Sequence, residues 1–312
     1  MKFVKRFLIY LIIFLFNFIN VNSYENKILI KINNDIITSI DLYNESNYLL
    51  ALNTNLKELE KNEIFEIAKK SLIKDRIKTL ELLKYNKNFQ ADENYISEIV
   101  KSIYTNLNLD NFENFIEYLN QYNVSFEYLK NKLSIQLEWN NLIATKFINN
   151  VVIDVEKIKN DIQKNSSKNS KEYLLSEIVF EVPANETYQE KIKIIENDIE
   201  KDGFSKAVLI HSISNSASNN NGKIGWLNEN SINKNIKEIL NNLKIGGHTK
   251  PITVPGGFLI LKIENVRIVE NRNHDLDKKI NEIINIKRNE QLNSYSNIYF
   301  NKVKKDLKIY EN

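Results

Sequence analysis

All seven glycines and all three prolines of this 312-residue chain fall between Pro183 and Gly257. Glycine opens backbone conformations with positive φ, and proline fixes φ and removes a donor, so both punctuate regular structure. The long flanks that lack them are rich in Leu, Ile, Lys, Glu and Asn and read as helices. The stretch that collects them reads as a compact unit of tight turns and strands set into a mainly helical scaffold. A substrate site is to be sought there first.

The first residues stand apart from both. Met1 to Arg6 is basic, Phe7 to Ile19 is almost wholly apolar, and Val21-Asn22-Ser23 offers small residues for cleavage. That three-part pattern is the pattern of a secretory signal. The competing reading is an uncleaved anchor, but the apolar run is shorter than the ~20 residues that span a bilayer. Cleavage after Ser23 removes Lys2, Lys5 and Arg6 and no acid, so the formal net charge falls from +3 to zero. Nothing then favours nucleic acid or an anionic membrane surface as a partner. With no cysteine in the chain, disulfides, thiol catalysis, Cys-ligated metal and a lipid-modified cysteine are excluded. A disulfide-free exported protein suits a bacterial periplasm, with no stable membrane insertion once the signal is gone.

Within the scaffold, Lys27 to Ile32 is a β-type run, Asn33-Asn34-Asp35 a turn and Ile36 to Thr38 the return strand. Ser39 or Asp41 caps a helix to about Leu52. Ile73, Ile77, Leu80 and Leu83 recur at helical spacing, and so do Phe126, Leu129, Leu133, Leu137, Ala144 and Phe147. These stripes read as core, with Trp139 packed beside them. Gln163 to Lys171 is a polar linker. Asp275 can cap a last helix bearing Ile280, Ile283, Ile284, Tyr295 and Tyr299, and Leu307 to Tyr310 is a final β-type run. The β-type runs at the two chain ends are expected to pair, with the last helix packed on the N-terminal scaffold.

Between linker and last helix the order is strand (Tyr173 to Val182), helix (Tyr188 to Lys201), helix (Phe204 to Ser212), strand at Gly222 to Trp226, helix to Leu243, then strands at Pro251 to Val254 and Phe258 to Ile263. This β-α-α-β-α-β-β order defines an α+β domain of ordinary size. Its motifs are Gly203-Phe204, Ser212, Asn221-Gly222-Lys223-Ile224-Gly225-Trp226, Leu243-Lys244-Ile245-Gly246, Lys250-Pro251-Ile252 and Gly257-Phe258-Leu259-Ile260-Leu261. In order and spacing they resemble the parvulin-type (rotamase) peptidyl-prolyl isomerase domain. The flanks, through Ile32 to Thr38 and Tyr122 to Leu129, resemble the SurA family of periplasmic chaperones. The resemblance covers essentially the whole mature chain, with one parvulin domain where the best-known members carry two.

The resemblance implies an α+β protein with a signal at 1–23, a helical domain at 24–162, a linker at 163–171, an isomerase domain with a four-stranded antiparallel sheet at 172–268, and a C-terminal helix and strand at 269–312. Prolyl isomerisation needs no cofactor or metal. Its barrier of about 20 kcal/mol is the cost of twisting the amide, which a dry apolar pocket lowers by favouring the twisted form. By position the family's substrate-binding residues fall on Ile224, Trp226, Ile232, Ile236 and Phe258, and the loop's polar residue on Ser214. For the isoleucines, plain domain core is an equal reading. The two histidines usual in active relatives are replaced by Glu177 and Leu259; Leu259 offers no hydrogen bond, and Glu177 is expected to stay hydrated. Ser214 and Glu177 are thus the candidate catalytic residues. His211 reads as a helix-end surface or cap residue, and His248 and His274 as turn and helix-start residues.

Three functions follow. The first is a periplasmic SurA-like chaperone for unfolded clients, outer-membrane proteins by family resemblance, with a weakened isomerase domain. The second is a working isomerase resting on the apolar pocket and Ser214. The third is a structural adaptor without client binding. The altered histidines favour the first over the second, and the intact scaffold disfavours the third.

Overall fold

A computed structural model describes residues 26–164, 169–182, 186–214, 222–255, 257–270 and 276–311. The signal segment, His274, Asp275 and residues 215–221 of the polar loop lie outside the described residues. Among the described residues no helix is long and apolar enough to cross a membrane.

The fold is α+β, with helices built around two antiparallel sheets. The hairpin β1 (Ile28–Ile32) and β2 (Asp35–Thr38) turns at Asn33, whose φ of 52° suits an Asn. Thr38 then caps α1 (Ser39–Leu52), in a box where Asp41 Oδ2 accepts from the Thr38 amide at 2.8 Å. The cap is thus one residue earlier than Ser39, and Asp41 is its partner, because a Thr–x–x–Asp box satisfies two orphan N–H groups at once. Helices α2 (Lys61–Leu82), α3 (Glu93–Asn106), α4 (Phe112–Gln121), α5 (Phe126–Phe147) and α6 (Val155–Lys164) follow. The helices α1 to α5 close over a core that includes Tyr48, Leu56, Phe115, Leu119 and Leu129, while Ile158 and Ile162 of α6 bury in a separate cluster with Ile283.

The last helix, α10 (Leu276–Lys305), lies against α5, α6 and α2. Trp139 of α5 is fully buried and its Nε1 donates to Ser296 Oγ at 2.8 Å. Phe147 stacks on Tyr295 with ring centroids 5.0 Å apart. The chain then enters β7 (Ile309–Glu311), which pairs antiparallel with β1 through Ile32–Ile309 and Ile30–Glu311. The two ends of the chain therefore share one three-stranded sheet, ordered β2-β1-β7, whose Ile30, Ile32 and Ile37 bury against Leu72 of α2.

The second sheet is four-stranded, ordered β4-β3-β6-β5, and antiparallel throughout. Its strands are β3 (Asn169–Phe180), β4 (Lys223–Asn228), β5 (Ile252–Val254) and β6 (Gly257–Glu270). Helices α7 (Tyr188–Asp202), α8 (Phe204–His211) and α9 (Lys234–Asn241) accompany it. β3 begins at Asn169, inside the run read as a linker, and its first residues pair with the far end of β6 from Asn169–Glu270 onward. Ladder hydrogen bonds join main-chain groups, so polar composition did not prevent strand formation there.

Candidate functional site

The site is built on β3 and β6, where Glu177 stands opposite Leu261, Ile178 opposite Ile260, Val179 opposite Leu259 and Phe180 opposite Phe258. Side chains alternate along a strand. Glu177, Val179, Leu259 and Leu261 thus share one face, and Ile178, Phe180, Phe258 and Ile260 the other. The second face is closed by α7 and α8, with Ile195, Phe204, Ala207 and Val208 buried against it. On the first face α9 packs through Leu240, and Ile224, Ile232, Ile236 and Leu259 lie half-buried around it.

Three of the five residues placed in the pocket from sequence are therefore together, and two are elsewhere. Phe258 points to the α7–α8 side, stacked on Phe180 with centroids 5.5 Å apart and against Tyr188 at 4.7 Å. Strand alternation decides this: a pocket shared with Leu259 cannot also hold its immediate neighbour. Trp226 lies opposite Leu174 in the β3–β4 ladder, outside the isoleucine cluster. The Arg267 guanidinium sits 4.2 Å above its ring and is itself paired with Glu172 at 2.7 Å. Trp226 serves as the floor of a cation–π contact. Glu177 and Leu259 occupy diagonal positions on one face, so whatever binds over the isoleucines meets one half-buried carboxylate and one aliphatic side chain.

The polar rim comes from the segment after α8. Ser212 Oγ accepts from the Val179 amide at 3.0 Å and lies 3.0 Å from Ser214 Oγ. The Ile213 amide donates to the Val179 carbonyl at 2.7 Å. Ser214 is thus tied to the edge of the site by a main-chain anchor and a serine pair.

His211 departs from its reading as a surface or cap residue. Its side chain is only 5% exposed, and Nε2 lies 2.6 Å from Asp198 Oδ2, because α7 folds over the end of α8. Burial holds its pKa below the usual histidine value against the pull of Asp198. Among the described residues no group of three His, Asp or Glu side chains is placed to hold a metal ion.

Gly222, which begins the β4 motif, accepts from the Glu177 amide at 2.7 Å and has φ of 77°. A Cβ there would lie 2.6 Å from the Glu177 carbonyl oxygen and 2.8 Å from Val208 Cγ2. Gly222→Ala is expected to lower stability by about 2–4 kcal/mol, from left-handed strain plus overpacking. Thermal unfolding checks this; an unchanged midpoint would show that the loop relaxes freely.

Motif order and this geometry agree with the comparison by family. Residues 178–265 match the PPIC-type PPIase domain, rotamase. The matched PPIC-type segment runs from β3 into β6 and contains α7, α8, β4, α9 and β5. No curated protein sequence matches the chain. Among solved structures, a PpiC-type peptidyl-prolyl cis-trans isomerase domain is 22% identical, covering 35% of this chain and 100% of its own, with a TM-score of 0.29. Peptidylprolyl isomerase PrsA of Bacillus anthracis is 15% identical over 75% of this chain and 93% of its own, with a TM-score of 0.31. One of two structurally related SurA-like chaperones of Campylobacter jejuni is 15% identical over 92% of this chain and 99% of its own, with a TM-score of 0.34. At TM-scores this low, these likenesses carry no argument about the site.

Proposed function

We propose that this chain is an exported chaperone of the SurA type that binds unfolded polypeptides, outer-membrane proteins first among them, and whose PPIC-type domain is a weak prolyl isomerase. The observation that carries the reading is the pair Glu177 and Leu259 on one face of β3 and β6. The resemblance implies a histidine at each position, and neither residue here can rebuild a hydrogen-bonded imidazole pair. What remains is an apolar surface of Ile224, Ile232 and Ile236 beside a serine rim. Without an imidazole pair such a surface is poorly equipped to accelerate rotation about a prolyl bond, so client binding falls to the whole chain, scaffold included, and not to this pocket. The secretory pattern of residues 1–23 supports export, with cleavage near Ser23 and a periplasmic destination.

The half-buried isoleucines also support a second reading, a working isomerase that relies on the apolar pocket and Ser214. A protease-coupled prolyl isomerisation assay on the chain beginning at residue 24, run beside suppression of aggregation of an unfolded outer-membrane protein, separates the two. Strong suppression with weak isomerisation is the expected result. Strong isomerisation without suppression would replace the chaperone reading with the enzymatic one.

A further inference from the structure

We propose that the helical scaffold, rather than the PPIC-type domain alone, sets the shape of the site's polar rim, and that Lys74 of α2 is a positioning residue for Ser212 and Ser214. The proposal rests on the site reading above and adds to it the element that controls the rim. Lys74 Nζ donates to the Ile213 carbonyl at 3.0 Å, while the Ile213 amide is held by the Val179 carbonyl of β3 at 2.7 Å. Ile213 is thus the tie point between scaffold and sheet, and the serines on either side of it are the rim. One turn earlier on α2, Lys70 Nζ donates to the Ile210 carbonyl, also at 3.0 Å.

Lys70 supplies what the end of α8 lacks, and Lys74 holds the chain two residues beyond it. A helix leaves its last carbonyls without intrahelical donors and carries partial negative charge there. Here one missing donor, Lys70, comes from another part of the chain, and Lys74, four residues on along the same face of α2, continues the contact to Ile213. The contact is a packed seam and not a pair of isolated bonds. Leu209 of α8 is buried within the scaffold's core cluster, and Lys206 Nζ reaches the Glu58 carbonyl at 3.4 Å. Burial lowers the pKa of Lys74, with Asp75 next to it opposing the loss of charge. The cation is therefore withdrawn from water at a spot where a main-chain carbonyl takes water's place.

Amide hydrogen exchange on the full chain from residue 24 tests this, because the Ile213 amide reports the tie point directly. In Lys74→Met, exchange at Ile213 is expected to quicken about tenfold, the worth of one charge-assisted hydrogen bond. The amides of Ile178 and Ile260, inside the same sheet, should keep their native protection. Lys74→Arg retains the charged donor and should return Ile213 towards the native rate. Native exchange at Ile213 in the Met variant would overturn the proposal. So would quickening spread equally over Ile178, Ile260 and the scaffold amide of Leu129, which would make Lys74 an ordinary stability residue, or an Arg variant indistinguishable from Met. None of these readings needs isomerase or chaperone activity, so failure of the proposed function would show separately in its own assays.

Discussion

Replacing Lys132 with Met is expected to cost about 3–5 kcal/mol of folding stability, the usual penalty for removing one partner of a buried ion pair. Glu45 of α1 has no exposed surface, and its two oxygens accept from Lys132 Nζ at 2.7 and 2.8 Å, from Ser71 Oγ at 2.6 Å and from Tyr128 OH at 2.6 Å. Lys132 also pairs with Asp75. Burial opposes the charge on Lys132, but Asp75 and Glu45 outweigh it and hold the ammonium above the ordinary lysine pKa. Without the lysine, Glu45 keeps its Ser71 and Tyr128 hydroxyl donors beside the Asp75 carboxylate, and one carboxylate must take a proton or draw in water. Urea unfolding measures the loss. A midpoint within error of the native one would mean that water already solvates the layer.

Trp139→Ala carries a comparable cost, about 3–5 kcal/mol for an aromatic removed from a closed core, and its effect should concentrate on α10. The indole lies between Tyr299 and Phe300 of that helix, at centroid distances of 5.8 and 6.2 Å, and its N–H is spent on Ser296. Tyr299 in turn donates to Glu81 of α2 at 2.5 Å. Removing the indole empties the middle of this junction. Exchange of α10 amides should therefore quicken more than exchange in α3 and α4, which pack on the other scaffold core. Uniform quickening across all the helices would show that α10 does not unfold separately from the rest.

These two sites differ in how far the sequence disclosed them. Trp139 sat beside an apolar stripe and was readable as core, because a 3.6-residue period reports which face is buried. The Glu45–Lys132 layer was hidden, since Glu45, Lys132 and Lys78 fall at positions a binary pattern assigns to solvent. The polar centre of α1, Asn44 to Asn47, was the available signal, being a polar run inside an otherwise apolar helix. The Lys70–Lys74 seam was invisible for the same reason: two lysines on a helix face look solvated until a neighbouring domain presents carbonyls to them.

Strand-level features were legible where turn chemistry spoke. Asn33-Asn34 marked the β1–β2 hairpin, and the glycine motifs marked β4 and β6 before any geometry was known. Side-chain facing was harder. Phe258 and Leu259 are consecutive, so a motif match placed both at the site while alternation allows only one. The bulge between Leu175 and Ser176 shifts the β3–β4 register, and spacing along a motif does not disclose such a shift. Trp226 was misplaced in consequence. The Asn169 start of β3 was missed because backbone pairing leaves no mark in a polar run.

Client binding is expected to belong to the whole chain and not to depend on the isomerase-like pocket. Changing Ile232 and Ile236 together to Ala opens that pocket on its α9 side, and because both are half-buried each should cost the domain less than the ~2–5 kcal/mol of a fully buried aliphatic truncation. The measurement is suppression of client aggregation by this double variant beside the unaltered chain from residue 24. Undiminished protection is the predicted result, with isomerisation weak in both proteins. Loss of protection together with loss of a strong native isomerase activity would contradict it and make the pocket the centre of function.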